Sequence, residues 1–250
     1  GPRNHIVTFV VGAVGHSDAL TSDVQRTADV IVQTRQGDDL LLNSFGARPL
    51  RVIHGTPAHL EPLVGVAADA RFTVLFLGFS FGPDGDAERA ARDLLADCAA
   101  NDGRIRPPKG HFTIVVADQK GPTLRAYVDH LATAPLYYHE WQGTLYFASE
   151  LKALLAVGQP SKAWNTDALV QSYLLGFSLD QETVCREVTS LSGGTCLVAS
   201  PGSSVRIDRY HDFGDNPAGD SSLQAFFDKS DECIRSEEHT SELQSRRNLV

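Results

Sequence analysis

Cysteine and histidine are the side chains best able to do chemistry near neutral pH, and their spacing sets the first limits. Cys98, Cys185, Cys196 and Cys233 lie far apart, with no Cys-x-x-Cys pair and no histidine at ligand spacing. That pattern argues against a zinc site or a disulfide framework and predicts reduced, buried thiols in a cytoplasmic protein. His16, His54 and His111 are isolated in sequence and read as structural. Asp129 and His130 stand together just ahead of Ala134-Pro135, where they are expected to hold a turn rather than to react. No metal site is expected.

The chain has 250 residues, 42% of them hydrophobic, enough for one large domain or two small ones with a real core. With 22 Lys plus Arg against 31 Asp plus Glu, the net charge is -9, which argues against a grip on nucleic acid or anionic lipid. No apolar run approaches the roughly 20 residues that span a bilayer. The start, GPRNHIVTFVVGAV, shows no cleavage-site pattern and no initiating Met, so Gly1 is expected not to be the natural beginning.

The elements that would position any site read as follows. Ile6–Val14 is a strand closed by Gly15, and a helix from Ser22 carries Val24, Ala28 and Val32 on one stripe. DLLLNSF and PLRVIH are two strands split at Gly46–Arg48, and RFTVLFLGFSFG is a further strand ending in a turn. DAERAARDLLADCAA is an amphipathic helix with Ala87, Ala90, Ala91, Leu94, Leu95 and Cys98 on its apolar stripe. GHFTIVVAD, TLRAYVD, PLYYHEW and TLYFAS read as a meander of sequential antiparallel strands. Ser149 is then placed to cap a short helix packed by Leu151, Leu154 and Leu155. NTDALVQSYLLGF predicts a helix capped at Asn165 or Thr166, with Leu169, Tyr173 and Leu174 on its apolar stripe and Gly176 ending it. Two more strands follow, then a Pro/Gly/Asp linker from Gly214 to Asp220 and a new helix.

The order of pieces in DHLATAPLYYHEWQGTLYFASELKALL, continued by NTDALVQSYLLGFSLDQETVCREVTSLSGGTCLV and Tyr210, resembles the N-terminal glutaminase domain of the asparagine synthetase family, the class II glutamine amidotransferases. The likeness runs from about Gly110 to Tyr210 and is patchy before that. It implies an α+β fold, the αββα sandwich of two antiparallel sheets found in N-terminal-nucleophile hydrolases. In that family a chain-terminal Cys attacks the glutamine amide with its own α-amine as base. An Asn side chain and a Gly amide form the oxyanion hole, and an Arg and an Asp hold the carboxylate and amine of the substrate.

Carried over by motif, the family's Cys-x-Ile-x-Gly falls on TFVVG, which puts Thr8 at the nucleophile position with seven residues before it. The family's Asn-Gly-Glu falls on Leu77, Gly78 and Phe79, so only the glycine survives: Leu77 has no donor for an oxyanion and Phe79 no acceptor for an ammonium. Asp86 matches the amine-binding Asp or is a plain helix N-cap, and Arg51 matches the carboxylate-binding Arg or is a solvated strand residue. Val128 stands where the family has Arg before Asp129.

The resemblance implies a degenerate glutaminase-like domain, as in β-lactam synthetase and lasso-peptide cyclase relatives, serving the C-terminal synthetase domain of the same chain. That domain would use ATP and magnesium on a small-molecule or peptide substrate, and a homodimer is possible. The present chain lacks the family's Ser-Gly-Gly-Leu-Asp-Ser phosphate loop, so no cofactor is expected for it, and Gly193-Gly194 in LSGGTCLV read as turn formers. Two alternatives stay open: an amidohydrolase activated by cleavage before Thr8, and a stand-alone interaction module. The expected divisions are 1–213 for the glutaminase-like domain and 214–234 for a linker with the first helix of a truncated synthetase domain. The remaining residues, 235–250, are expected not to be natural, because Arg235 to Ser245 reads as the translation of a DNA-sequencing adapter.

Overall fold

A computed structural model describes residues 8–34, 40–46, 48–81, 85–157, 163–179 and 181–212. The chain divides into two units, Gly1–His211 and Asp212–Val250. The linker, the helix after it and the adapter-like tail expected over 214–250 lie outside the described residues.

The first unit is an α+β sandwich of two six-stranded antiparallel sheets. In chain order its elements are β1 (Phe9–Val14), α1 (Leu20–Thr34), β2 (Leu40–Phe45), β3 (Leu50–Pro57), a 3-10 helix (Ala58–Leu63), β4 (Val64–Ala68), β5 (Phe72–Ser80) and α2 (Ala87–Ala100). They continue with β6 (Gly110–Asp118), β7 (Thr123–Val128), β8 (Tyr137–Trp141), β9 (Thr144–Ala148), α3 (Leu151–Leu154), α4 (Thr166–Leu175), β10 (Thr189–Ser190), β11 (Thr195–Ala199) and β12 (Arg206–Arg209). One sheet runs β10-β8-β9-β1-β3-β2 and the other β12-β11-β7-β6-β5-β4.

Both faces of the central strands are covered, which is why those strands read as unbroken apolar runs instead of alternating with polar residues. In β1, Val10 and Val14 pack between the sheets with Leu75, Leu77, Val115 and Phe147, while Phe9, Val11 and Ala13 face α1 and α3. In β5, Val74 and Phe76 turn the other way, onto Ala87, Ala91, Leu94 and Cys98 of α2. The layers are therefore helix, sheet, sheet, helix, the αββα arrangement expected from the resemblance.

Four expectations need correction. The meander is not continuous: β5, β6 and β7 pair in one sheet, but β8 and β9 belong to the other, with β9 beside β1. The crossing is made at Asp129–Pro135, where the Asp129 carboxylate gathers the loop's amides instead of letting a tight hairpin form. Ser149 does not cap α3; its Oγ accepts from the Val10 amide at 3.2 Å, tying the end of β9 to β1, and Glu150 takes the cap position. The fully buried residue in the last turns of α1 is Ile31, in step with Leu20, Val24 and Ala28, while Val32 is only partly buried against the same cluster. Finally, the apolar stripe of α4 faces outward: Tyr173 is 89% exposed and Leu174 70%, and Ala168 is the helix's buried residue. The 3-10 helix and β4 had no counterpart in the sequence reading.

Cys98, Cys185 and Cys196 are free and buried, and burial pushes the Cys98 and Cys196 thiols up to about 12. Cys233 lies outside the described residues. Gly194 forms a turn at φ +68, its amide bonded to the Asp129 carbonyl and its own carbonyl accepting from Tyr210.

Candidate functional site

Among the described residues, two cavities between the sheets bear on the candidate side chains. The first, about 440 Å³, lies where β1 begins and β5 ends. Thr8 and Val10 line it from one sheet, and Leu77, Gly78 and Phe79 from the other. Leu60 and Leu63 close one side from the 3-10 helix, and Ala134 and Pro135 close another from the crossing loop. The structure thus brings Thr8 together with the Leu77-Gly78-Phe79 segment, though the two are far apart in sequence.

Gly78 is held by a close approach of backbone. At φ +126 it pairs with Phe112, and an added Cβ would sit 2.0 Å from the His111 carbonyl oxygen. Phe112 turns its own N–H toward the Asp129 carboxylate and its carbonyl toward the Asp129 amide, both on the β7 side. The Gly78–Phe112 pair is therefore one without mutual bonds, and the Gly78 amide is directed to the side of β5 where β4 has already ended at Val64 opposite Leu77. An amide so placed is free to donate to an acceptor oxygen of a bound molecule. Beside it, Leu77 is 4% exposed and offers only methyl groups.

Thr8 is joined to Val7 in this chain, so its nitrogen is an amide, not an amine. A hydroxyl without a base is a weak nucleophile.

Arg51 and Asp86 are not among the residues that line this cavity. Arg51 pairs with Ala13, at the opposite end of β1 from Thr8, and its guanidinium donates to the Gly46 carbonyl at 2.9 Å and the Ser44 hydroxyl at 2.8 Å. Those bonds fix it to the β2–β3 turn. Asp86 is the N-cap of α2, its Oδ1 accepting from the Glu88 amide at 3.0 Å. It opens instead onto the second cavity, about 570 Å³, between the edge strands β2 and β4, which it shares with Asn43, His54, Thr56, Glu61 and Glu88. The 3-10 helix contributes to both cavities, Glu61 and Pro62 on one side and Leu60 and Leu63 on the other.

His111 is the residue that spacing missed. It lines the Thr8 cavity, with Nδ1 2.6 Å from the Thr133 hydroxyl, which in turn lies 2.7 Å from Asp129 Oδ2. Burial pushes the Asp129 carboxyl up, but bonds from the Thr133 hydroxyl and amide and from the Leu131 and Ala134 amides outweigh it and hold the pKa below the usual carboxylate range. Among the described residues no group of three His, Cys, Asp or Glu side chains is arranged to hold a metal ion, and no helix is long and apolar enough to cross a membrane.

Residues 96–211 match the family model described as glutamine amidotransferase domain, a little under half of the chain. Over that stretch the chain is similar to glutamine amidotransferase domains, and the match contains β6 through β12 and the crossing loop. Among solved structures it is similar to glutamine phosphoribosylpyrophosphate amidotransferase from B. subtilis, complexed with ADP and GMP. That likeness has 10% identity and a TM-score of 0.47 over 81% of this chain and 49% of that one. A structure described as the allosteric regulatory enzyme of purine biosynthesis gives 11% identity and a TM-score of 0.45, again over 81% and 49%. The chain thus spans about half the length of these structures. A comparison with curated proteins gives no match.

Proposed function

We propose that this chain is the glutaminase-like domain of an ATP-dependent, amide-forming enzyme of the asparagine synthetase type, in which the glutamine-hydrolysing site no longer works. The observation that carries this reading is the make-up of the Thr8 cavity. It keeps a glycine amide at Gly78 but flanks it with Leu77 and Phe79, and its one hydroxyl at the start of β1 belongs to a Thr whose nitrogen is acylated. An oxyanion without a side-chain donor loses roughly 3 kcal/mol of stabilisation, about a hundredfold in rate, before the missing base is counted.

In this reading the partner is a synthetase domain of the same polypeptide, where ATP and magnesium activate a carboxylate and the attacking amine comes from the substrate. The test is direct: the purified chain, incubated with glutamine, is expected to release glutamate at the background rate. Sustained release well above background would overturn the proposal. Sequence beyond Ile234 bears on the parent enzyme, since a phosphate loop there supports it and a stop codon supports a stand-alone module. The module reading draws on the outward apolar face of α4.

A second reading is favoured by the presence of Thr8 and Gly78 in one cavity. Cleavage before Thr8 would free an α-amine as base beside a hydroxyl nucleophile, giving an amidohydrolase. Intact-mass measurement decides between the two, because this reading requires a species that begins at Thr8.

A further inference from the structure

The Thr8 cavity holds a hydrogen-bonding device that glutamine hydrolysis does not use. Asp129 is 1% exposed, and its carboxylate receives the Leu131 amide at 3.0 Å, the Thr133 amide at 3.1 Å, the Ala134 amide at 3.1 Å and the Thr133 hydroxyl at 2.7 Å. Every one of these partners is a donor, so the group is an ionised acceptor. The Thr133 hydroxyl has a single proton, and it is directed to Asp129. Toward His111 Nδ1, 2.6 Å away, Thr133 Oγ1 therefore acts only as an acceptor. The proton of the neutral imidazole is thereby placed on Nδ1, and Nε2 is left as an acceptor with no hydrogen-bond partner among the described residues.

The ring is also held in plane. It stacks on Phe79 with centroids 5.6 Å apart and 30° between planes. Around it the walls are mainly apolar, from Val10, Leu60, Leu63, Leu77 and Pro135. The charged side chain of the lining, Glu150, is ion-paired with Lys152 at 2.7 Å. An anionic ligand would meet the Glu150 carboxylate and the Nε2 lone pair, both unfavourable. A neutral molecule with one donor fits both the walls and the acceptor.

We propose that the cavity between Thr8, Leu77 and Phe79 binds a small, mainly apolar molecule with a hydroxyl head group, and that this hydroxyl donates to Nε2 of His111. The inference rests on the reading that the cavity does not turn over glutamine. Thr133 and Asp129 are positioning residues that fix the tautomer.

The test uses the full 250-residue chain and two probes, para-propylphenol and its methyl ether, in which a methyl group replaces the hydroxyl proton. Calorimetric titration is expected to show the phenol binding about fivefold more tightly than the ether, the effect of one hydrogen bond. His111→Phe should abolish that preference, and Thr133→Val should reduce it by freeing the proton to move to Nε2. Imidazole nitrogen chemical shifts of the ligand-free protein should show the proton on Nδ1, a readout that needs no variant to fold. Equal affinity for the two probes, no saturable binding of either, or a proton on Nε2 would overturn the proposal. Glutamate release, measured on the same preparation, reports separately on the glutaminase reading.

Discussion

His54 and His111 each stand at a cavity between the sheets, and they differ in what surrounds the ring. His54, in β3, is 3% exposed, its Nδ1 is buried without a partner, and its aromatic neighbour is Phe45 at 6.4 Å between centroids. Burial alone lowers its pKa to about 4, so it is neutral at pH 7 with an unsatisfied ring edge. His111 is bonded through Thr133 to an ionised Asp129. One ring is isolated by desolvation and the other is wired to a charge. The contrast shows that a histidine's chemistry here is set by side chains brought in from other strands and loops, and Thr133 stands 22 residues from His111.

If the wiring holds the crossing loop as well as the ring, removing its anchor gives the largest effect. Asp129→Ala would leave the Leu131, Thr133 and Ala134 amides and the Thr133 hydroxyl without their shared acceptor, a buried carboxylate beneath a loop whose Leu131 and Thr133 are exposed. Urea unfolding should show a loss of roughly 3 kcal/mol, since four hydrogen bonds to a charged acceptor go at about 1 kcal/mol each, less what water recovers at the exposed side of the loop. A loss below about 1 kcal/mol would mean that the carboxylate decorates the loop without organising it, and the distinction between the two histidines would shrink with it.

The same contrast explains what the sequence could and could not disclose. Central strands such as FVVGAV and FTVLFLGFS announce themselves because both faces are apolar, and α2 does so because its stripe repeats at helical spacing. The resemblance added which elements come together, including Thr8 with Gly78. Neither source reached the 3-10 helix at Ala58–Leu63, whose residues form no apolar stripe and contain Pro62, although it walls both cavities. Ser149 looked like a cap because local sequence cannot reveal that the Val10 amide, 139 residues away, competes for its oxygen. The stripe on α4 was legible as apolar, but periodicity does not say which side meets the protein. Spacing reads His111 as structural because its partner, Thr133, is close only after β6 and the crossing loop have packed.

A smaller effect follows from the isolation of His54. Its folded-state pKa, about 4, lies below the ordinary 6.5, so the unfolded chain binds the proton more readily. Stability is unaffected by this group above about pH 6.5 and declines as pH falls from there toward 4. Between pH 7 and pH 5 the native state should lose about 2 kcal/mol through His54. Chemical unfolding of the wild type and of His54→Leu at both values measures it as the difference in their pH dependence. Parallel curves for the two proteins would show that the imidazole finds a partner, and the contrast with His111 would be lost.

The smallest effect separates the two roles that the sequence left open for Asp86. As the N-cap of α2 it accepts the Glu88 amide, a bond that any short side chain with an oxygen can make. Asp86→Ala should therefore cost about 1 kcal/mol in urea unfolding, and Asp86→Ser should recover most of that while removing the charge. Near the positive end of the helix the charge itself contributes only about 0.5 kcal/mol, so the serine variant should fall short of the wild type by no more than that. Equal damage from alanine and serine would show that the carboxylate does something a cap does not. Because Asp86 opens onto the cavity that holds His54 and Glu61, that outcome would place a charge-dependent role in the cavity where the ring is isolated.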